Sequence, residues 1–310
     1  MEIDVSFVMS VYNKEYYLPH VLKALINQTG VKNPEFIFVD DVSSDKSIDI
    51  IKDMTKGLNN VTLKINEKNM GISPTVNKAI MLAKGKWVRM LDSDDIFPLD
   101  STEKMIELAE KHNADIVYGN FKKTGKKAEE LTNIYMDKDF DYKYSGDTLM
   151  TILNGRFTRM GQLIKREVLH KAKGADERVF IQDETIPLRV GIHGSGVIKI
   201  HSEVVLVPEE IGNFSGNKTQ LNADRFLAYY HTIKDNQNLP PKALKRMYQK
   251  AVSAYWKEVK TTAKLPYFTG AFWNYLENKM FRQKPNIKYL EKMKKYFDKK
   301  TNFRRTANYT

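Results

Sequence analysis

Over the first 120 residues the apolar positions alternate between two spacings. Val5-Ser6-Phe7-Val8-Met9-Ser10-Val11 is a near-continuous apolar run, which predicts a buried strand. From Tyr16 to Gln28 the apolar residues fall at Leu18, Val21, Leu22, Leu25 and Ile26, the spacing of one helix face. Phe36 to Val39 predicts a second strand, and Ile48, Ile51 and Met54 set one face of a helix over 46–56. Val61 to Ile65 predicts a third strand. In the next helix Ser73 is the expected N-cap, Pro74 the first helical residue and Gly85 the end. Trp87 to Leu91 and Ala114 to Tyr118 predict two more strands. Between them Asp100, with Glu103 three residues on, opens a helix to His112.

Strands alternating with helices predict an α/β fold with a mostly parallel sheet flanked by helices. After Asn120 the regularity weakens. Residues 122–141 are polar and loop-rich in pattern, and 142–215 mix short helical and strand-like runs, the clearest strand being Val197 to Val207. From Lys218 the pattern becomes helical. Leu239-Pro240-Pro241 interrupts it before helices over Ala243–Thr262 and Ile287–Lys300. The expected organisation is a first half over 1–120, a second half of the same domain over 121–215, and a helical extension over 216–310.

Charge changes this picture. The 310-residue chain carries a net +12, yet residues 231–310 hold 19 Lys and Arg against 5 Asp and Glu. That segment is therefore +14 on a body of −2, which reads either as an ordinary solvated helical face or as one that meets an anionic partner surface. Tyr255, Trp256, Tyr267, Phe268, Phe272, Trp273 and Tyr275 are set among its lysines, a mixture suited to a lipid interface and also to single-stranded nucleic acid. There is no cysteine, which excludes thiolate chemistry and disulfides. No secretory leader and no run of about 18 apolar residues is read from the sequence. The expected location is the cytoplasm, with the basic segment resting on the inner face of the membrane.

In parallel α/β sheets ligands bind outside the carboxyl ends of the strands. The residues leaving those ends are Tyr12-Asn13, Asp40-Asp41, Asn66 to Gly71 and Asp92 to Asp95. Asp92-Ser93-Asp94-Asp95 gathers hard carboxylate oxygens as a phosphate-bound Mg²⁺ or Mn²⁺ requires; the alternative is a solvated turn. Asp40 and Asp41 are adjacent carboxylates, one of which could accept the ring N–H of a pyrimidine base. Ser44 or Asp45 is expected to cap the helix that follows.

Taken together, Ser10-Val11-Tyr12-Asn13, Val39-Asp40-Asp41 with Ser43 and Asp45, Asn69-Met70-Gly71, Gly85-Lys86-Trp87-Val88 and Leu91-Asp92-Ser93-Asp94-Asp95 resemble the inverting glycosyltransferases of family 2, which have the GT-A fold. A weaker likeness continues through Gly174-Ala175-Asp176-Glu177-Arg178 to Gln182-Asp183. The resemblance implies a GT-A-like domain and inverting transfer of a sugar from a nucleotide diphosphate sugar, UDP-sugar first, to a glycan or lipid-linked hydroxyl. It implies Tyr12 and Asp41 at the base, Asn69 and Gly71 in the donor site, and Asp92 near the donor ribose or sugar. Asp94 matches the metal ligand, with Asp95 its alternative, and Asp183 matches the catalytic base. Two positions depart from the pattern: Gln182 stands where the family often has Glu, leaving Glu184 as a competitor, and Val76 stands where many members have Arg. His201 is a further candidate metal ligand that is more often structural.

Two rivals remain. A nucleotidyltransferase would carry a Gly-rich basic loop after the first strand, where this chain has Tyr12-Asn13-Lys14-Glu15. A nucleic-acid-binding protein led by the basic segment is the other, and the enzyme-like front half disfavours it.

Overall fold

The computed structural model describes residues 2–155, 161–209, 217–281, 285–300 and 304. It divides into two compact units, Met1–Ala175 with Arg189–Gly212, and Asp176–Leu188 with Asn213–Thr310.

The first unit is built on a sheet. Its strands are β1 (Val5–Val11), β2 (Glu35–Asp40), β3 (Val61–Ile65), β4 (Trp87–Asp92), β5 (Ile116–Lys123), β6 (Tyr142–Ser145), β7 (Leu163–Lys165) and β8 (Val197–Val207). They lie in the order β3-β2-β1-β4-β7-β5-β8-β6. The pairs of β1 with β2 and β4, of β2 with β3 and of β5 with β8 are parallel. The pairs of β7 with β4 and β5, and of β6 with β8, are antiparallel. Strand order reverses across β1 and β4, so the crevice at their carboxyl ends is the place this topology offers to a ligand. In register, Val11 pairs with Asp40 and Ser10 with Asp92, which brings three of the sequence-predicted strand ends to one rim.

Helices α1 (Leu18–Ile26), α2 (Ser47–Met54), α3 (Ile72–Leu82) and α4 (Ser101–Lys111) follow β1 to β4 in turn. Shorter helices α5 (Thr148–Asn154) and α6 (Arg166–Lys171) precede α7 (Gln182–His193). The stripe of α1 predicted from spacing is the one buried: Leu18, Val21, Leu22 and Leu25 pack with Phe7, Met9, Phe36 and Phe38 of the sheet. Burying such side chains contributes about 1.5–3 kcal/mol each, which sets both period and facing.

Punctuation departs from expectation at three places. Helix α3 begins two residues early, at Ile72, with Gly71 as N-cap, and it ends at Leu82. Gly85 instead marks a close approach: a Cβ there would stand 2.7 Å from the Ser6 backbone nitrogen, while its N–H reaches Ser6 Oγ and the buried Glu35. Asp100 is the N-cap residue of α4, but its carboxylate makes no capping bond. It accepts the Met136 N–H at 2.8 Å and pairs with Lys104 at 2.7 Å.

The second unit is helical: α8 (Lys218–Asp235), α9 (Pro241–Thr262), a 3-10 turn (Pro266–Phe268), α10 (Gly270–Phe281) and α11 (Ile287–Asp298). Helix α9 starts at Pro241, whose fixed φ suits a first helical position. Phe226 of α8 stacks on Phe297 of α11 at 5.0 Å, and Met247, Tyr248, Ala251 and Val252 bury the inner side of α9. No described helix is long and apolar enough to cross a membrane.

Candidate active site

The loops leaving β1 and β2 are laced together. The Asn13 N–H donates to Ser43 Oγ at 2.9 Å, and Asn13 Oδ1 accepts the Ser44 N–H at 2.8 Å. Lys14 N–H donates to Ser47 Oγ, and Glu15 N–H donates to Asp45. The capping expectation for Asp45 holds in part: its carboxylate accepts the Ser47 N–H at 2.9 Å, although Lys46 occupies the N-cap position. Partial burial raises the Asp45 pKa, but the bonds from Ser47 and Glu15 outweigh this and hold it below the usual carboxylate range.

Asp40 and Asp41 divide their work. Asp40 is fully buried and accepts both the N–H and the hydroxyl of Ser43, closing the turn. Asp41 reaches the 66–71 loop. Its Oδ1 accepts Asn66 Nδ2 and the Met70 N–H, both at 2.8 Å, and its Oδ2 accepts the Gly71 N–H at 2.9 Å. Asn69 Nδ2 donates to the Asp41 carbonyl at 3.2 Å. Asp41 is 4% exposed, and its three carboxylate bonds use most of the four or so acceptor positions a carboxylate offers. Gly71 takes φ 86°, a conformation that favours glycine. Asp41, Asn69 and Gly71 are thus one hydrogen-bonded group, and the exposed Tyr12 ends the neighbouring strand.

Spacing alone did not reveal two lysines beside this group. Lys78, one turn after Pro74 on α3, donates to Asn66 Oδ1 at 2.9 Å. Lys14 pairs with Asp94. Neither stands out by spacing, since Lys14 lies three residues past the end of β1 and Lys78 within α3. Val76, at the position often Arg in the family, is buried in the core.

The acidic segment after β4 sits as expected. Asp92 closes the strand, Asp95 and Ser93 are buried, and Asp94 is partly exposed. The cation on Asp94 is the Lys14 ammonium, which a metal ion would have to displace. Among the described residues no three His, Asp or Glu side chains gather to hold an ion by themselves. The donor set fits a hard divalent ion completed by diphosphate oxygens and water, the usual arrangement for Mg²⁺ with one or two carboxylates. His201 lies exposed on β8 and its N–H donates to the Asp141 carbonyl.

The expected base sits in the second unit. Asp183 is in the first turn of α7 and is partly exposed. Its competitor Glu184 is buried and held by Arg225 at 2.9 Å. The preceding segment is braced: Arg178 binds Asp176 through Nε and Nη2 at 2.8 and 2.7 Å, and also binds Asp235. Burial raises the Asp176 pKa, but the Arg178 bonds outweigh it and keep the carboxyl below its ordinary value. The Asp176 N–H donates to Thr185 Oγ1, and the Phe180 N–H to the buried Asp224.

The sheet order and its flanking helices form an α/β fold of the GT-A type. The chain is similar in fold to S. aureus TarS 1–349 in complex with UDP, with a TM-score of 0.63 at 16% identity over 86% of this chain and 74% of that one. It is also similar to the mannosyltransferase PcManGT from Pyrobaculum calidifontis in complex with GDP-Man and Mn²⁺, with a TM-score of 0.55 at 15% identity over 96% of this chain and 86% of that one. The family model for glycosyl transferase family 2 matches residues 6–172, and the chain belongs to that family. An uncharacterized glycosyltransferase of Haemophilus influenzae is 30% identical over 164 residues, 53% of this chain. The match spans 62% of that relative's own length.

Proposed function

We propose that the protein transfers a sugar, with inversion, from a nucleotide diphosphate sugar to a hydroxyl of a glycan or lipid-linked acceptor. The observation that carries this reading is the group of Asp41, Asn66, Asn69 and Gly71 at the carboxyl end of β2, on the same rim of the sheet as Asp92 at the end of β4. UDP-sugar is the proposed donor, since the exposed Tyr12 ring, with Asp41 at the neighbouring strand end, suits a pyrimidine base. Support comes from the UDP named in the TarS complex.

Asp94 would hold Mn²⁺ or Mg²⁺, with Asp95 next to it, and the ion would neutralise charge on the departing diphosphate. Lys14 and Lys78 supply further positive charge to the same end of the sheet. The acceptor oxygen attacks the anomeric carbon as the carbon–oxygen bond to the diphosphate breaks, and the hydroxyl proton passes to Asp183. A sugar hydroxyl is a poor nucleophile until that proton leaves, so a positioned base is required. Glu184 is less suited to the role because Arg225 holds its carboxylate. The +14 segment over 231–310 would rest on an anionic membrane, where lipid-linked acceptors are met.

The experiment is a thermal-shift and hydrolysis screen of nucleotide sugars with and without Mn²⁺, run on the intact protein and Asp94→Asn. UDP should stabilise the protein in a metal-dependent way. Asp94→Asn should fold but lose metal-dependent UDP binding and transfer. Full transfer in excess chelator, or wild-type activity in Asp94→Asn, would remove the metal assignment.

A further inference from the structure

Helix α9 ends at Thr262, and the chain then makes a tight excursion through the 3-10 turn Pro266–Phe268 before α10 begins at Gly270. One side of this excursion is firmly seated. The Trp256 ring packs on Phe272 at 5.3 Å, on Tyr267 at 5.8 Å and on Tyr275 at 6.0 Å, over the buried Val259 and Ala271. The other side projects outward. Phe268 is 84% exposed, Leu265 67% and Trp273 56%, with Met280 seven residues beyond Trp273 and so on the same helix face.

A large aromatic left this exposed on an ordered turn gains nothing from the fold of this unit, and contiguous exposed apolar side chains mark interaction sites. The charges around it are one-sided. Lys257, Lys260, Lys264 and Lys279 are exposed, and Glu277 is the single exposed acid between residues 257 and 280. Part of the turn's backbone is bonded internally. The Phe268 N–H donates to the Leu265 carbonyl at 3.2 Å, and the Thr269 N–H and hydroxyl both donate to the Pro266 carbonyl. Pro266 has no N–H to satisfy. Backbone groups already bonded internally can enter a poorly hydrated layer at low cost.

Neither described cavity is lined by these residues, which disfavours a small ligand. Two copies meeting here would bring eight lysines together, which disfavours self-association. Apolar and aromatic tips ringed by lysine fit the boundary between phosphate headgroups and acyl chains.

We propose that Leu265, Phe268 and Trp273 form a hook that inserts at the headgroup level of an anionic bilayer, with the surrounding lysines on lipid phosphates. This deepens the membrane reading above and rests on it, but it differs in physics. Attachment by charge alone disappears in high salt, whereas attachment with an inserted hook persists in part.

Vesicles of phosphatidylcholine with phosphatidylglycerol, and of phosphatidylcholine alone, test it with the full chain at low and high salt. The chain has three tryptophans, of which Trp87 and Trp256 are buried, so emission changes report on Trp273. Anionic vesicles should shift the emission to the blue, and Trp273→Phe should lose the shift while still sedimenting. Leu265→Ser with Phe268→Ser should melt like the wild type yet partition about ten- to a hundredfold more weakly, the scale expected for losing one buried large apolar side chain or more. Equal sedimentation of the serine variant, or an unchanged spectrum in vesicle-bound protein, overturns the hook and leaves charge-driven attachment standing. An intact protein that binds no vesicle, or a dimer that Phe268→Ser dissociates, overturns the hook together with the membrane reading. UDP binding, measured in the same samples, tests the donor site separately.

Discussion

The sheet unit and the helical unit hold charge on opposite terms. After β2 in the sheet unit the carboxylates are surrounded by donors that fix them: Asp40 by Ser43, Asp41 by Asn66, Met70 and Gly71, Asp45 by Ser47 and Glu15. Backbone conformation is held to match. Among the described residues every position with positive φ, from Asn13 and Val42 to Gly174, lies in the sheet unit. In the helical unit the excess charge is lysine on regular helix surface, much of it exposed, with no such backbone specialisation. Fixed charge with defined donors suits one ligand in one pose, because its geometry is set before binding. Exposed lysines on flexible stems suit a diffuse anionic surface. Substitutions in the first region should therefore act strongly and with little dependence on salt, and those in the second weakly and with salt.

The largest effect expected tests whether Asp183, which lies in the helical unit, acts as the base. Asp183→Asn should leave UDP binding nearly intact and lower turnover by about 10²–10⁴, the usual worth of a positioned base. Glu184→Gln should instead lower stability, because Arg225 would lose its charged partner. Initial rates and denaturation of both variants decide it. Turnover loss in Glu184→Gln alone would transfer the role to Glu184.

Next is a buried group in the helical unit that titrates. His231 is 3% exposed, and burial is the main cause that lowers its pKa to about 4. Arg178 and Lys294 push the same way, while Asp176 and Asp235 oppose them. A base whose folded pKa lies below its unfolded value of about 6.5 contributes stability above pH 6.5 and loses it as pH falls through the folded value. The gap corresponds to about 3 kcal/mol lost between pH 6.5 and 4. Denaturation midpoints across that range should fall for the wild type and flatten in His231→Phe. Parallel curves would place the acid sensitivity elsewhere.

A smaller effect probes the fixed carboxylates directly. Asp41→Asn turns one acceptor oxygen into an NH₂ facing N–H donors, and should cost about 2 kcal/mol, the value of hydrogen bonds to a charged group. UDP affinity should fall with it, and 0.5 M salt should restore neither. Recovery in salt would mean that Asp41 acts through long-range charge rather than through its bonds.

These expectations separate what is legible in sequence from what is not. The β1 to β4 half could be read because each element buries one face, and burial imposes a period on the chain. The end of α9 and the start of α11 could be read, whereas Pro241, read as an interruption, is the first residue of α9. Strand β7 could not: three residues are too few to show a period, and its antiparallel place between β4 and β5 depends on partners far along the chain. Helix α10 was hidden because its outward face mixes Trp273 and Met280 with Glu277, so apolar residues fall on both sides and no clean stripe marks it. The strand-end aspartates were visible as chemistry, but their partners were not. Asp41 meets Gly71 30 residues away, and Lys14 meets Asp94 80 residues away, separations at which no local pattern speaks.

The smallest effect concerns the cost of fixing that rim. Val42 follows Asp41 with φ 67°, a left-handed conformation that a β-branched residue adopts only under constraint. Its side chain is 40% exposed, so packing returns little for the strain. The turn is held there by Asp40 on Ser43 and by Asn13 on Ser44. Left-handed backbone costs an L-residue about 1–2 kcal/mol, while glycine loses about 0.5–1 kcal/mol more entropy on folding. Val42→Gly should thus stabilise the protein by about 0.5–1 kcal/mol, a rise of about 1–4 °C in melting temperature for a chain of this class. Val42→Ala keeps the Cβ and hence the strain, and should change little. The same substitution logic has no target among the described helices of the second unit, where no residue takes positive φ. A melt of the three proteins measures the difference. If Val42→Gly melts below the wild type, the valine side chain contributes more packing at the rim than its conformation costs, and the turn is shaped for that side chain rather than in spite of it.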